Sequence, residues 1–135
     1  MGRTAKILVV AALMMVLSAG VALAASPLVI TGTAAGEQIK GTKAAETIYG
    51  LGGADEITDG LGRDLNYGGT GADNLIGYGG DRSLDRFYGG RGNDLVQSRD
   101  VPAVKDVVSC GTGTDTVYAD KADVVRGNCE RVKAW

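Results

Sequence analysis

The sequence predicts an all-β fold, a β-solenoid in which short parallel strands wind into a roll. The first observation is a nine-residue repeat, because acidic residues recur at this spacing along most of the chain. The second is composition, since 22 of the 135 residues are glycine, far above ordinary usage. The third is a shortage of bulky side chains, because phenylalanine and tryptophan occur once each. We therefore expect stacked repeats rather than a conventional globular core.

The first 24 residues are expected to be a signal peptide that is not part of this fold. Arg3 and Lys6 precede the apolar run 7–17, and small residues then lead to the A-x-A motif at 22–24. A basic start, a short apolar stretch and an A-x-A site are typical of secretory signal peptides. We expect a helical signal peptide, cleavage after it and a secreted, extracellular protein with no membrane association. The alternative is a membrane anchor, for which the apolar run is short.

Charge and composition exclude several function classes. Leaving out Arg3 and Lys6, 12 basic residues face 16 acidic ones, a net charge of −4. Such a chain lacks the basic footprint of a nucleic-acid-binding protein, so no nucleic-acid partner is expected. Histidine is absent, which excludes Ser-His-Asp and Cys-His catalysis and the usual zinc sites. We therefore expect no enzymatic activity.

The repeat unit is G-G-x-G-x-D-x-φ-x, where φ is apolar. Position six carries an acid throughout, and the series is Glu37, Glu46, Asp55, Asp64, Asp73, Asp85, Asp94, Asp106 and Asp115. The spacing is nine residues except for steps of twelve to Asp85 and to Asp106. Position eight is apolar in every unit except one, which has Asn66. One apolar residue between two outward positions predicts a strand of about three residues followed by a glycine-rich turn.

Two units would form one coil, and each coil would stack on the next at the parallel-strand spacing of about 4.8 Å. Carboxylates eighteen residues apart, such as Asp55 and Asp73, would then meet on one edge. Like charges there repel unless a cation lies between them. Curled glycine turns also direct backbone carbonyls inward. Carboxylate and carbonyl oxygens, without nitrogen or sulfur, are a ligand set that suits Ca²⁺.

Three segments carry the repeat best: GLGGADEIT at 50–58, GGTGADNLI at 68–76 and GGRGNDLVQ at 89–97. They resemble the repeats-in-toxin (RTX), or haemolysin-type calcium-binding, family. The resemblance covers 32–117, most strongly 50–97, and the tail resembles the ending of small secreted bacterial members. It implies a right-handed parallel β-roll with Ca²⁺ bound between successive turns.

The predicted domain organisation follows from where the repeat is well formed. Residues 25–31 are a lead-in, and 32–49 are a degenerate N-terminal cap. Glu37 and Glu46 replace aspartate there, and Ala35 and Ala44 occupy glycine positions. The roll occupies 32–117, and 118–135 form a C-terminal cap. Stacked repeats need such caps at their ends.

Alternate turns of such a roll fall on opposite edges. The first edge collects the turns 32–37, 50–55, 68–73, 89–94 and 110–115, and the second edge collects 41–46, 59–64, 77–85 and 98–106. The first edge is regular, whereas the second is degenerate. Both twelve-residue steps fall on the second edge, so its enlarged loops should lie side by side.

We expect Ca²⁺ mainly on the first edge. The expected carboxylate ligands are Asp55, Asp73, Asp94 and Asp115. Asp64 and Asp85 on the second edge are weaker candidates, because Arg63 and the insertion disturb their turns. The glycines expected to shape the sites are Gly50, Gly53, Gly68, Gly69, Gly71, Gly89, Gly90 and Gly92. For any single aspartate the alternative is an ordinary turn-capping residue.

Cys110 and Cys129 are the only cysteines, and their separation of 19 is close to one coil. Neighbouring coils lie within the Cα range that a disulfide requires. We expect a disulfide that pins the last coil, which in a secreted protein would form in an oxidising compartment. Two reactive thiols are the alternative, but no CxxC spacing or histidine is present to activate them.

The sequence therefore indicates a secreted calcium-binding roll whose folding is coupled to Ca²⁺. The alternative is a calcium-dependent adhesion or extracellular-matrix module with an unknown cell-surface partner. Its contact face would combine the second-edge loops with Tyr49, Tyr67 and Tyr88, although such tyrosines also serve as exposed strand formers. A piece of a secreted toxin or hydrolase is suggested by the family resemblance alone. An ice-binding array of outward threonines is not present.

Overall fold

The computed structural model describes residues 26–135 and the backbone of Ile7–Leu8, and this part of the chain consists of β-strands and turns with no helix. The thirteen strands are β1 Ile7–Leu8, β2 Leu28–Thr31, β3 Gln38–Lys40, β4 Glu46–Gly52, β5 Glu56–Thr58, β6 Leu65–Thr70, β7 Asn74–Ile76, β8 Arg86–Arg91, β9 Leu95–Gln97, β10 Val107–Thr112, β11 Thr116–Ala119, β12 Val124–Val125 and β13 Arg131–Ala134. Most have three to six residues, as one inward side chain per repeat predicts.

Odd and even strands build two separate parallel sheets. The odd sheet has the order β1-β3-β5-β7-β9-β11-β13, and the even sheet has the order β12-β10-β8-β6-β4-β2. Each pair of consecutive strands is therefore one coil, and the coils stack into a solenoid of about six turns. The register follows the repeat, since Ile57 pairs with Leu75, and Leu75 with Val96 across the first twelve-residue step. The predicted all-β parallel roll is confirmed.

A single file of apolar side chains from each sheet fills the space between the sheets. These are Ile30 and the apolar position-eight residues, all buried: Ile39, Ile48, Ile57, Leu75, Phe87, Val96, Val108 and Val117. The strands alternate between half-exposed and buried side chains, as in Glu56–Thr58 and Asn74–Ile76. The core is thin, because each nine-residue unit buries about one apolar side chain. Stability therefore depends on the stacking of coils and on the partners of the polar atoms in the turns.

The strands extend beyond the repeat boundaries 32–117 at both ends. Strand β2 lies in the predicted lead-in, and β12 and β13 continue the two sheets within the predicted C-terminal cap. The predicted signal-peptide helix lies outside the described residues, apart from Ile7–Leu8, which pair in parallel with Gln38–Ile39 as a strand. No helix capable of crossing a membrane is found in the described part of the chain.

The predicted disulfide is present and joins the last two coils. Cys110 and Cys129 are bonded with their Cα atoms 5.2 Å apart, and Cys129 packs against the core. The bridge closes a loop of about one coil, for which a stabilisation of about 3 kcal/mol is expected. It fixes the chain at the end of the roll, where the last coil has a neighbouring coil on one side only.

Candidate metal centre

The position-six aspartates of the first edge form a continuous ladder. Each Asp Oδ1 accepts a hydrogen bond from the backbone N–H of the position-six residue one coil earlier. Asp55 N donates to Asp73 at 2.9 Å, Asp73 N to Asp94 at 2.9 Å, and Asp94 N to Asp115 at 2.7 Å. The spacing is 18 or 21 residues, which is one coil without or with the inserted loop. The predicted meeting of these carboxylates on one edge is confirmed.

The second oxygen of each of these carboxylates is buried and unsatisfied. Asp55, Asp73, Asp94 and Asp115 are at most 3% exposed, and their Oδ2 atoms accept no hydrogen bond from any described residue. A buried carboxylate oxygen without a partner is costly, so native proteins pair it or coordinate it to a metal. Four such atoms repeating along one edge could hold a repeated ligand.

Glycine at position one leaves room for these oxygens. A Cβ built on Gly68 would lie 2.5 Å from Asp73 Oδ2 and 2.6 Å from the carbonyl oxygen of Gly89 in the next coil. Gly50 and Gly89 have the same environment, with Asp55 or Asp94 Oδ2 at 2.5 Å and a carbonyl oxygen of the next coil beside it. A carboxylate oxygen and a carbonyl oxygen therefore border the same small volume at each turn.

Glycine at positions two and four lets the turns stack closely. Gly71 has φ +128°, a left-handed conformation that L side chains rarely adopt, and a Cβ there would overlap Gly53 O. The remaining predicted glycines of these positions also have positive φ: Gly53, Gly69, Gly90 and Gly92. The turn backbones of successive coils thus lie in direct contact, with carbonyl oxygens in register along the edge.

The second edge carries the same ladder, although Asp64 and Asp85 were predicted to be the weaker candidates. Glu46 N donates to Asp64 at 2.8 Å, Asp64 N to Asp85 at 2.7 Å, and Asp85 N to Asp106 at 2.8 Å. The turn distortion expected at Asp64 and Asp85 is absent from the ladder itself. Arg63 is exposed, and the inserted residues do not interrupt the stack of position-six residues. Asp106 continues the ladder with Asp123.

Glutamates end the first-edge ladder on both sides. Glu37 N donates to Asp55, while the Glu37 carboxylate folds back to the N–H of Thr33 at 2.7 Å in its own turn. At the other end Asp115 N donates to Glu130 Oε2 at 2.8 Å. The longer side chain allows a turn to satisfy its own carboxylate. Glu46 repeats this geometry on the second edge through Thr42.

A compact acidic cluster lies on the second edge. Carboxylate oxygens of Asp59, Asp64 and Asp85 all lie within 4.8 Å of one another, and the three residues are buried. Asp59 Oδ1 accepts a hydrogen bond from Tyr78 N at 2.9 Å, and Oδ2 accepts one from Asn66 Nδ2 at 3.0 Å. These residues could hold a metal ion. Sequence reasoning missed Asp59 because it sits at position one, where the repeat has glycine.

Burial without a counter-charge raises the pKa of several aspartates on both edges. On the first edge desolvation raises the pKa of Asp55 to about 6 and that of Asp94 to about 6, with neighbouring carboxylates adding to the effect. The pKa of Asp73 is also raised, by burial. On the second edge burial raises the pKa of Asp64 to about 7 and that of Asp85 to about 7.

Within the cluster of Asp59, Asp64 and Asp85, the pKa is raised most at Asp59. Desolvation first and the Asp85 carboxylate second raise its pKa to about 8. Further along the edge, the pKa of Asp106 is raised by burial and by the Asp100 and Asp85 carboxylates. Such shifts mean that the folded chain by itself opposes ionisation of these groups, which a bound cation would reverse.

The two enlarged loops of the second edge lie side by side, as predicted. Val101 N donates to Gly79 O at 3.2 Å, which joins the loop 98–106 to the loop 77–85. Asp100 of the second loop is buried, and its Oδ2 accepts no hydrogen bond from the described residues. The loops thereby add carboxylates to the second edge, which was predicted to be the weaker of the two for metal binding.

Comparisons with protein-family models, curated proteins and solved structures find no match for this chain. The site is therefore described by its own geometry. All six predicted aspartates lie in two ladders of buried carboxylates, four on the first edge and two on the second. Asp59, Asp106, Asp123 and Glu130 belong to the same systems but were not predicted as site residues. Asp106 had the repeat register as a signal, whereas the other three depart from it.

Proposed function

We propose that this chain is a secreted calcium-binding β-roll of the RTX type, without a catalytic centre, whose folding is coupled to Ca²⁺. The observation that carries the proposal is the row of buried Asp Oδ2 atoms on the first edge, which accept no hydrogen bond from the described residues. The donor set fits Ca²⁺, because it consists of carboxylate and carbonyl oxygens on closely stacked, glycine-rich turns.

Coupling to folding follows from the thin core. Each unit buries about one apolar side chain, while glycine-rich turns lose much conformational entropy when they are ordered. Stacking also brings buried carboxylates into register, which opposes folding while they are ionised. A cation bound between coils removes that opposition, so its binding free energy becomes folding free energy. Extracellular modules bind Ca²⁺ with Kd of roughly 10⁻⁴–10⁻³ M.

Secretion fits this function. Millimolar calcium outside the cell would fold a roll that stays unfolded in the calcium-poor cytoplasm. The basic and apolar start of the chain supports export, and the Cys110–Cys129 disulfide supports an oxidising compartment.

The test is a count of calcium sites in a ladder variant. Asp73→Asn together with Asp94→Asn keeps the size and shape of both side chains but removes two ligand charges from the centre of the first edge. Titration calorimetry of this variant should show fewer bound ions than the unmodified protein. The control is Glu56→Gln, which removes one charge from a strand of the odd sheet outside both ladders. An unchanged ion count in the double variant would refute the ligand assignment.

A second candidate, a calcium-dependent adhesion module, is favoured by one observation. Tyr49, Tyr67 and Tyr88 stack in a row on the outer face of the even sheet, with ring centroids 5.0 and 4.7 Å apart. Leu51 beside them is half exposed. Replacing the central residue by Tyr67→Ser should abolish calcium-dependent binding to cells or matrix and leave the ion count unchanged. Equal binding by both proteins would restrict the row to a structural role.

A further inference from the structure

Two departures from the repeat meet inside the roll. Asp59 stands at position one, where neighbouring turns have Gly50 and Gly68, and Asn66 stands at position eight, where every other unit is apolar. Both are completely buried, and Asn66 Nδ2 donates to Asp59 Oδ2 at 3.0 Å. Glycine and leucine would satisfy the repeat at lower cost, since buried polar groups destabilise a core unless they are fully paired. The presence of this pair therefore indicates a role that the hydrogen bonds between position-six residues do not explain.

The pair lies against two ladder carboxylates. Asp59, Asp64 and Asp85 offer oxygens within 4.8 Å of one another. An independent observation comes from Asn66, which belongs to the core file and not to the ladder. Its amide contacts Asp59, and its Oδ1 is buried and accepts no hydrogen bond from the described residues; the same is true of Asp64 Oδ2. The Asn66 side chain thus lies against the cluster of three carboxylates, and Asp64 Oδ2 and Asn66 Oδ1 are the two unsatisfied oxygens there.

We propose that Asp59, Asp64, Asp85 and Asn66 form a separate buried site for a hard divalent cation, with Ca²⁺ preferred over Mg²⁺. The ligands are all oxygens, which hard cations prefer. The site is buried, so a bound ion exchanges most of its water for protein oxygens, which Mg²⁺ resists. This inference deepens the proposed function and rests on it only for the role of calcium in the roll.

The site differs from those of the first edge in charge and in position. A first-edge turn offers position-six carboxylates from adjacent coils, whereas this site adds a third carboxylate and an amide from the core side. Affinity for Ca²⁺ rises with the number of charged ligands and with rigidity. The second-edge site therefore fills at lower calcium concentration than the first-edge sites, so it orders the centre of the roll first.

The test replaces both exceptional residues with the residue types that the repeat has at their positions. Asp59→Gly with Asn66→Leu introduces the residue types found in neighbouring units and leaves Asp64 and Asp85 in place. Calcium titration calorimetry of this variant should lose the tightest affinity, because only the position-six carboxylates remain at this turn, while circular dichroism in excess calcium still shows the strands. A milder variant, Asp59→Asn, keeps the side-chain size and should weaken the tightest site about tenfold or more. The same ion count and the same tightest affinity in both variants would overturn the proposal.

Failure of this inference can be distinguished from failure of the proposed function. The variant Asp73→Asn, Asp94→Asn leaves the second edge intact and should retain the tight ion. If that ion is retained while the unmodified protein keeps its strands in chelator, the separate site stands and calcium-coupled folding fails. If the unmodified protein folds with calcium but the Asp59 variants bind it identically, only the separate site fails. If the unmodified protein binds no calcium, both fail.

Discussion

At the scale of single residues, the geometry of the turns depends on glycine, because glycine has no Cβ. Asp73 Oδ2 and a carbonyl oxygen occupy the place where Gly68 would carry a Cβ. Gly71 has a positive φ and lies against Gly53 O of the previous coil. The first kind of glycine leaves space for ligands, and the second allows the coils to approach. The aspartates alone would not form a site without both.

Gly71→Ala should therefore destabilise the calcium-bound roll strongly. The methyl group would overlap Gly53 O, and alanine resists the left-handed backbone, so a loss of about 2 kcal/mol or more is expected. Urea unfolding in excess calcium measures the change. Gly127→Ala is the matched control, because a Cβ there meets nothing within 4 Å and should leave the midpoint unchanged. Equal midpoints for both variants would contradict the turn geometry.

Residue-scale prediction from sequence succeeded where the repeat is regular and failed where it breaks. The register located Asp55, Asp73, Asp94 and Asp115 because position six has one geometry in every coil. Asp59 was missed because a repeat pattern assigns no role to a residue that violates it. Its partner Asn66 was noticed as an exception, but the pattern could not reveal that the two exceptions are in contact.

At the scale of elements, both edges contain buried aspartates that ionise less readily in the folded chain than in the unfolded one. A carboxyl with a raised pKa in the fold binds more protons than in the unfolded chain, where Asp titrates near 3.9. For Asp55 and Asp94 the folded value is about 6, and for Asp64 and Asp85 about 7. Without calcium, the stability contributed by these groups is present below about pH 4 and is lost as the pH rises toward 7.

The pH dependence of stability should therefore change sign with calcium. In chelator, the urea midpoint should fall as the pH rises from 5, until the chain is unfolded without urea at pH 7.5, because folding then requires protons on buried carboxyls. In excess calcium it should rise over the same range, because the ion binds the ionised carboxylates and protons compete with it. Two unfolding series in matched buffers measure both slopes. Slopes of the same sign would contradict the assignment of these carboxylates as calcium ligands.

Element-scale prediction was good for strands and uneven for edges. The nine-residue period fixed the short strands, the two sheets and the side-by-side loops, because stacking transmits one register through the whole roll. The prediction gave too little weight to the second edge, because an insertion interrupts the repeat when only the sequence is considered. In the fold Asp64, Asp85 and Asp106 keep their ladder contacts across both insertions.

At the scale of the whole molecule, the fold has a thin core and two rows of buried acids. Its apolar file resembles that of any narrow solenoid, while its carboxylates would ordinarily oppose folding. The disulfide and the glutamate turns secure the ends but do nothing for the acids in the middle. We therefore infer that the stability of the roll depends on a ligand for those acids.

The most direct test of this dependence is far-UV circular dichroism of the protein during calcium titration from excess chelator. We expect an unfolded spectrum in chelator at pH 7.5 and a cooperative gain of strand signal as calcium reaches roughly 10⁻⁴–10⁻³ M, with magnesium unable to replace it. A strand spectrum that is equally strong in chelator and in calcium would contradict the central claim.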